Sequence, residues 1–264
     1  MIRNKVKEKL KKGHYSVGTW ITIGHAEVCE ILSSFAFDWI MFDTEHSPLS
    51  IETVQCLMQA MSGSAALPIV RVGWNDQVMI KRALDIGAHG VLIPWVNSGK
   101  DAANAVRACK YPPQGIRGCG PRRASKYGLC LNEYIELINE EILVGIQIET
   151  EEALNNLDAI LSVEGVDVAY VGPMDLSMSL GYPNQLTHPG FKSALQKVVE
   201  SCKKHDVYAG IHATSAEDFK ERVSQGFQFI TLLSDCDFLI HGCTEDLNKA
   251  MGRCVTKGDG CESR

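Results

Sequence analysis

One complete strand–helix–strand unit is predicted by residues 142–171, ILVGIQIETEEALNNLDAILSVEGVDVAYV. The two ends, Ile142–Ile148 and Val168–Val171, are short and almost continuously apolar, which is typical of strands buried on both faces of a parallel sheet. Between them, apolar residues recur at helical spacing, at Leu154, Leu157, Ile160 and Leu161. Thr150, followed by two glutamates, suits the start of that helix.

The same kind of short apolar run occurs eight times along the chain. The runs are Val17–Thr22, Asp38–Phe42, Pro68–Val72, Gly90–Pro94, Ile142–Ile148, Val168–Val171, Val207–Ile211 and Phe229–Leu233. Helical patterns lie between them, and Thr214-x-x-Glu217 predicts a capping box at the start of one helix. Eight alternating units in 264 residues predict a closed (β/α)8 TIM barrel of class α/β rather than an open sheet.

We expect one domain over residues 1–264, because no linker composition interrupts the pattern. Residues 1–13 contain a basic run with apolar residues at every fourth position, which predicts a short amphipathic cap helix. Residues from about 241 to 264 are expected to be a polar tail that contains cysteines, beginning as a helix. The longest irregular stretch is Tyr111–Leu129, and loops of that length are usually functional or mobile.

Composition excludes several classes of function. The chain has 26 basic and 32 acidic residues, a net charge of −6, which disfavours nucleic-acid binding. No apolar run approaches the roughly 20 residues that span a bilayer, and the first residues lack a secretory leader. The ten cysteines include no C-x-x-C pair, so we expect free thiols and a reducing, cytoplasmic location.

The carboxyl ends of barrel strands form the active face, so the polar residues there are the candidate functional residues. They are Trp20, Thr22, Asp43, Glu45, His46, Arg71, Gln147, Glu149, Asp175, His212, Ser234 and Asp235. Glu149 and Asp175 come from adjacent strand ends and suit a hard cation such as Mg²⁺ or Mn²⁺. Surface ion pairs of these two acids are the alternative interpretation.

His46 could act as a general base, since its ordinary pKa suits proton transfer at neutral pH, although a lone histidine is more often structural. Arg71 lies at an otherwise apolar strand position and must face an anion, either Glu45 or a substrate. His212 has no obvious partner. The glycine-rich segment Gly115–Gly120 lacks the Lys-Ser/Thr of a phosphate-binding loop.

Seven motifs, read in order, identify a family resemblance. They are Gly18-Thr-Trp20, Asp43-Thr-Glu-His46, Val70-Arg-Val72, Leu84-Asp-x-Gly-Ala-x-Gly90, Tyr111-Pro-Pro-x-Gly-x-Arg-Gly118, Gln147-Ile-Glu149 and Gly172-Pro-Met-Asp-Leu-Ser177. Together they resemble the HpcH/HpaI aldolases, which are class II, metal-dependent pyruvate aldolases, over roughly residues 14–240.

The resemblance implies a barrel of the phosphoenolpyruvate/pyruvate type that assembles as a homohexamer (a dimer of trimers) or a trimer. It implies a divalent cation, Mg²⁺, Mn²⁺ or Co²⁺, held by Glu149 and Asp175. The substrate would then be bound by this cation and by the following residues: Trp20, Gln147, Gly172, Pro173, Met174 and Asp175.

The implied reaction is reversible cleavage of a 4-hydroxy-2-oxo acid to pyruvate and an aldehyde through a metal-stabilised pyruvate enolate. His46 would be the base, and Arg71 would stabilise the enolate oxygen. Asp85 would raise the basicity of His46, with Asp43 as a second candidate for that partner. Two residues depart from the family pattern: Met174 stands where a small residue is common, and His212 stands where we expect an apolar one.

Two other interpretations remain open at the level of sequence. The same metal–enolate site could serve an oxaloacetate decarboxylase or another lyase, including one that cleaves a C–P bond or acts on a thioester. A non-catalytic pyruvate-binding protein is the third hypothesis, although binding alone would not need a base.

Overall fold

The computed structural model describes residues 3–252. Eight parallel strands form a closed barrel in chain order, with β8 beside β1, so the predicted (β/α)8 barrel is confirmed. The strands are β1 Ser16–Ile21, β2 Trp39–Asp43, β3 Leu67–Arg71, β4 Gly90–Ile93, β5 Leu143–Ile148, β6 Val168–Val171, β7 Tyr208–Ala213 and β8 Phe229–Ser234. Each coincides with a predicted apolar run, because a strand of a parallel barrel is covered on both faces.

Helices surround this barrel and connect successive strands. Those in the first half are α1 Lys5–Lys11, α2 Ala26–Ser33, α3 Ile51–Ala60, α4 Gln77–Asp85, α5 Gly99–Cys109 and α6 Leu131–Glu141. Those in the second half are α7 Glu151–Asn155, α8 Leu157–Leu161, α9 Pro173–Ser179, α10 Pro189–His205, α11 Ala216–Gln225 and α12 Asp235–Met251.

Two details of the helices differ from the sequence prediction. The helix between β5 and β6 is broken at Asn156, whose side chain donates a hydrogen bond to the backbone oxygen of Asn97 at 2.8 Å. The capping residue of α11 is Ser215 rather than Thr214, since the Ser215 hydroxyl accepts from the backbone N–H of Asp218 at 3.1 Å. The predicted capping box was therefore wrong by one residue.

The barrel interior is filled at its amino-terminal end. Aromatic and aliphatic side chains from several strands pack there, and Trp39 stacks on Phe229 with ring centroids 4.0 Å apart. Helix α1 closes this end, because Val6 and Leu10 are buried against the same side chains. A cavity can therefore form inside the barrel only at the carboxyl ends of the strands.

The carboxyl-terminal segment begins with α12, which continues to Met251, so the first part of the predicted tail is helical. Cys254 and Cys261 lie outside the described residues. The cysteines within residues 3–252 form no disulfide bond. No helix in that same range is long and apolar enough to cross a bilayer.

Candidate active site

A cavity of about 300 Å³ opens at the carboxyl ends of the strands. Because side chains alternate along a strand, the residues two positions beyond the packed interior layer also point inward and reach this cavity. The lining residues are Trp20, Thr22, Asp43, His46, Arg71, Gln147, Tyr170, Gly172, Pro173, Met174, Asp175, His212, Ser234 and Asp237. Of the described residues that line the cavity, none is a lysine.

Arg71 and Asp43 form the central ion pair of this cavity. They face each other in the register of β2 and β3, and Asp43 accepts hydrogen bonds from Nε and Nη2 of Arg71 at 2.9 and 2.8 Å. Glu45 lies 3.3 Å from Nη1, and the guanidinium lies 4.5 Å from the centre of the Trp20 ring. Burial alone would raise the pKa of Asp43, but the hydrogen bonds and charge of Arg71 hold that pKa below its usual value.

Glu149 lies directly behind the lining, next to Gln147 and Gly172. Its Oε1 accepts the backbone N–H of Trp95 at 2.7 Å, and its Oε2 accepts a hydrogen bond from the Gln147 amide. A Cβ atom at Gly172 would lie 3.2 Å from Cβ of Glu149, so glycine permits this close approach. Asp175 lies in the first turn of α9 and is exposed to the cavity.

The site contains more negative than positive charge. One arginine faces four carboxylates, and its two strongest hydrogen bonds go to Asp43. Burial, together with the charges of the neighbouring carboxylates, raises the pKa of Glu45 to about 7 against the opposing charge of Arg71. Burial also raises the pKa of Glu149, and the charge of Asp175 adds to that rise. Glu45 shares Arg71 with Asp43, and within residues 3–252 neither Glu149 nor Asp175 forms an ion pair, a condition that a bound cation would relieve.

Among residues 3–252, neither predicted partner of His46, Asp43 or Asp85, lies within ion-pair distance of its ring. Asp43 accepts the backbone N–H groups of Glu45 and His46 at 3.0 and 3.2 Å, and its other hydrogen bonds come from Arg71. Asp85 lies at the end of α4, the helix that returns to the amino-terminal side of the barrel, where it binds Arg117 at 2.7 Å. The carboxylate near the ring is Glu45, whose Oε2 lies 3.6 Å from Nε2 of His46.

Sequence reasoning missed two contributors to this site, Tyr170 and Thr231, and gave no role in the reaction to two others, His212 and Glu45. Tyr170 is an interior residue of β6, and Thr231 holds the hydroxyl that contacts both Tyr170 and His212. His212 was recognised as a departure but received no role, although strand alternation alone would have pointed it inward. Glu45 was considered only as a partner of Arg71, a contact that the structure contains beside the stronger one from Asp43.

Residues 16–242 match the profile of HpcH/HpaI aldolase/citrate lyase proteins. The chain belongs to the HpcH/HpaI aldolase/citrate lyase family. It is 39% identical over 238 residues to a hydroxypyruvate/pyruvate aldolase of Sagittula stellata, which covers 90% of this chain and 94% of the relative. It is 36% identical over 243 residues to a 4-hydroxy-2-oxo-heptane-1,7-dioate aldolase of Salmonella typhimurium, covering 91% and 92% of the two chains.

The fold agrees with a solved member of the HpcH/HpaI family. The crystal structure of a family protein from Burkholderia cenocepacia superposes with a TM-score of 0.90 at 29% identity, covering 94% of this chain and 99% of that one. The predicted family is thereby confirmed, and so is the prediction of an aldolase, a carbon–carbon lyase.

No three His, Cys, Asp or Glu side chains within residues 3–252 are arranged as a complete metal cluster. A two-carboxylate site in this HpcH/HpaI protein would therefore leave the other positions of an octahedral cation to water and substrate, as is usual for Mg²⁺. Aldolases of this class generally depend on a divalent cation.

Proposed function

We propose that this HpcH/HpaI protein reversibly cleaves a 4-hydroxy-2-oxo acid to pyruvate and an aldehyde, using a divalent cation held by Glu149 and Asp175. The observation that carries the proposal is that Asp175 and Arg71 line one cavity on the active face of the barrel, with Glu149 close enough to feel the charges of both. The named relatives, which are pyruvate-type aldolases, support the substrate class.

The residues present fit a divalent cation. Glu149 is buried beside Gln147, whose side-chain oxygen is buried without a hydrogen-bond partner. Glycine at position 172 permits the close approach of both side chains, since a Cβ atom there would lie 3.2 Å from Glu149 and 3.3 Å from Gln147. The donors are carboxylate oxygens, which Mg²⁺, Mn²⁺ and Co²⁺ accept as ligands. When bound, such a cation would polarise the keto oxygen of the substrate as a Lewis acid.

The side chains of the protein have separate roles in the proposed reaction. His46, at the rim, takes the proton of the C4 hydroxyl, and the electron pair of the breaking C3–C4 bond passes to the enolate of pyruvate. Arg71 presents its guanidinium to the developing enolate oxygen, and Asp43 fixes the orientation of that guanidinium. His46 returns the proton to C3, and Glu45 balances the transient imidazolium charge from 3.6 Å.

The absence of lysine from the described lining residues favours this scheme over a Schiff-base aldolase. The test is pyruvate release from 4-hydroxy-2-oxo acids compared with release from oxaloacetate, together with exchange of pyruvate methyl protons in D₂O. We expect cleavage and methyl exchange, both abolished by EDTA and restored by Mg²⁺, Mn²⁺ or Co²⁺. Activity that survives chelation but is trapped by borohydride would overturn the scheme, and activity on oxaloacetate alone would favour the decarboxylase.

We also propose assembly into a homohexamer or trimer. An apolar groove between α2 and α12 supports this, with Ile31, Phe35 and Leu239 each more than half exposed at 60%, 62% and 55%. Exposed apolar patches of this kind usually mark association surfaces. Light scattering on the purified protein tests the assembly, and a monomer at micromolar concentration would contradict it. The cytoplasmic location stays a prediction.

A further inference from the structure

A chain of polar side chains runs from the barrel interior to the cavity through His212. Nδ1 of His212 lies 3.3 Å from the hydroxyl oxygen of Thr231, and that hydroxyl is hydrogen-bonded to the hydroxyl of Tyr170. Thr231 and Tyr170 are buried at 0% and 2% exposure. Both hydroxyls are therefore satisfied inside the protein, and the contact through Nδ1 fixes the plane of the His212 ring.

The hydroxyls of Thr22 and Ser234 on this side of the cavity already have acceptors. The hydroxyl of Thr22 donates to Asp235 at 2.7 Å. Ser234 and Asp237 satisfy each other in the capping box of α12, with the hydroxyl donating to the carboxylate at 2.7 Å. Within residues 3–252, Nε2 of His212 forms no hydrogen bond, although His212 lines the cavity. Because Nδ1 points towards Thr231, Nε2 on the opposite edge of the ring faces the cavity.

His212 lies on the strand next to those that precede the acids assigned to the cation. Glu149 and Asp175 follow β5 and β6, whereas His212 lies on β7 next to the end of β8. A substrate whose 2-oxo acid end lies at Glu149 and Asp175 would extend its other end towards His212. That other end is the part released as the aldehyde.

The charge around His212 restricts what this end can carry. Burial lowers the pKa of His212 more than the charges of Asp237 and Asp218 raise it, so the ring is neutral at pH 7. An anionic aldehyde would meet the carboxylate of Asp237 in the same part of the cavity. A neutral hydroxyl group would not, and it can pair with Nε2 in either tautomer because it both donates and accepts.

We propose that His212 is a specificity-determining residue, which hydrogen-bonds through Nε2 to the hydroxyl of a short, neutral hydroxyaldehyde. The inference rests on the proposed aldolase function and deepens it by naming the class of aldehyde. The polar chain through Thr231 and Tyr170 positions the ring for this contact.

The experiment measures kcat/KM for condensation of pyruvate with glycolaldehyde, with its methyl isostere propionaldehyde, and with anionic succinic semialdehyde. The variants are His212→Leu, His212→Gln and Thr231→Val. His205→Leu, on the outer helix α10, is the matched control. Pyruvate methyl exchange in D₂O, measured without aldehyde, reports on folding and on the pyruvate half of the site.

We expect the wild-type protein to prefer glycolaldehyde over both other aldehydes by about tenfold, the value of one hydrogen bond. His212→Leu should lose this preference, His212→Gln should keep part of it, Thr231→Val should weaken it, and His205→Leu should keep it whole. Methyl exchange should fall far less than glycolaldehyde condensation in His212→Leu.

An unchanged aldehyde ratio in His212→Leu overturns the proposal, as does a wild-type preference for succinic semialdehyde. A parallel loss of methyl exchange and condensation would also overturn it, since His212 would then act on the pyruvate half. A wild-type protein without methyl exchange would refute the proposed function itself. The experiment therefore distinguishes failure of the specificity proposal from failure of the proposed aldolase function.

Discussion

Replacing Arg71 by alanine should damage both stability and turnover, and the structure allows the two effects to be separated. The side chain of Arg71 is 12% exposed and that of its partner Asp43 only 4%. Removing the guanidinium leaves a buried carboxylate without its ion-pair partner and without two of its hydrogen bonds, which typically costs about 3–5 kcal/mol of the free energy of unfolding. Loss of the charge that faces the developing oxyanion should lower kcat by about 10²–10³-fold.

The double variant Arg71→Ala/Asp43→Asn distinguishes these roles. A neutral amide at position 43 no longer leaves a buried charge unpaired, so we expect about 1–3 kcal/mol of the lost stability to return. Turnover should stay low, because no positive charge faces the oxyanion. Urea unfolding at fixed protein concentration measures the first effect, and pyruvate release from a 4-hydroxy-2-oxo acid measures the second.

The matched control is Arg222→Ala in α11. Arg222 forms a similar pair with Asp218 at 2.7 Å, with side chains 11% and 18% exposed, but neither residue lines the cavity. This variant should lose about 1.5–3 kcal/mol of stability and keep wild-type turnover. Recovery of wild-type turnover in Arg71→Ala/Asp43→Asn would refute the reasoning, since Arg71 would then serve only to neutralise Asp43.

Three further predictions concern the proposed cation site. Gly172→Ala should lower turnover by about tenfold, because the added Cβ lies 3.2 Å from Glu149 and must displace it. The control is Gly120→Ala, whose added Cβ meets no atom within 4 Å. Equal activity of the two variants would contradict the predicted effect. Removing divalent cations with EDTA should lower the melting temperature of the wild type but change that of a Glu149→Gln/Asp175→Asn variant little, as scanning calorimetry would show. Burial and the charges of neighbouring carboxylates, including Glu149 and Asp175, raise the pKa of Glu45 to about 7. A cation held by Glu149 and Asp175 would offset that charge and favour loss of the Glu45 proton, so its affinity should rise as the pH rises to about 7 and level off above. Calorimetric titration of Glu45→Gln should show a flatter dependence on pH.

The fold could be predicted from the sequence because its signals are local. The eight apolar runs mark strands that are covered on both faces, and each is recognisable without knowledge of its neighbours. The helix start at Thr150 is equally local, since its hydroxyl accepts from the backbone of Ala153 only three residues later. Where local signals compete, small errors follow, as at Thr214 and Ser215, two adjacent residues that can both begin a helix.

The residues at the strand ends could also be predicted, because their exposure at the active face follows from the direction of the chain. The partners of these residues could not. The sequence suggested Glu45 as the ion-pair partner of Arg71, whereas the register of β2 and β3 places Asp43 directly opposite Arg71. The family resemblance suggested Asp85 as a partner of His46, whereas the return direction of α4 places Asp85 beside Arg117 on the other side of the barrel.

The sequence by itself determined the barrel, the family and the set of acids, arginine and histidine available for chemistry. Only the tertiary structure decided which of them meet, and it alone joined His212 to Thr231 and Tyr170 from three neighbouring strands. The physical reason is that burial patterns depend on residues a few positions apart. Contacts between side chains depend on strand register and on the closure of the sheet, which no short segment encodes.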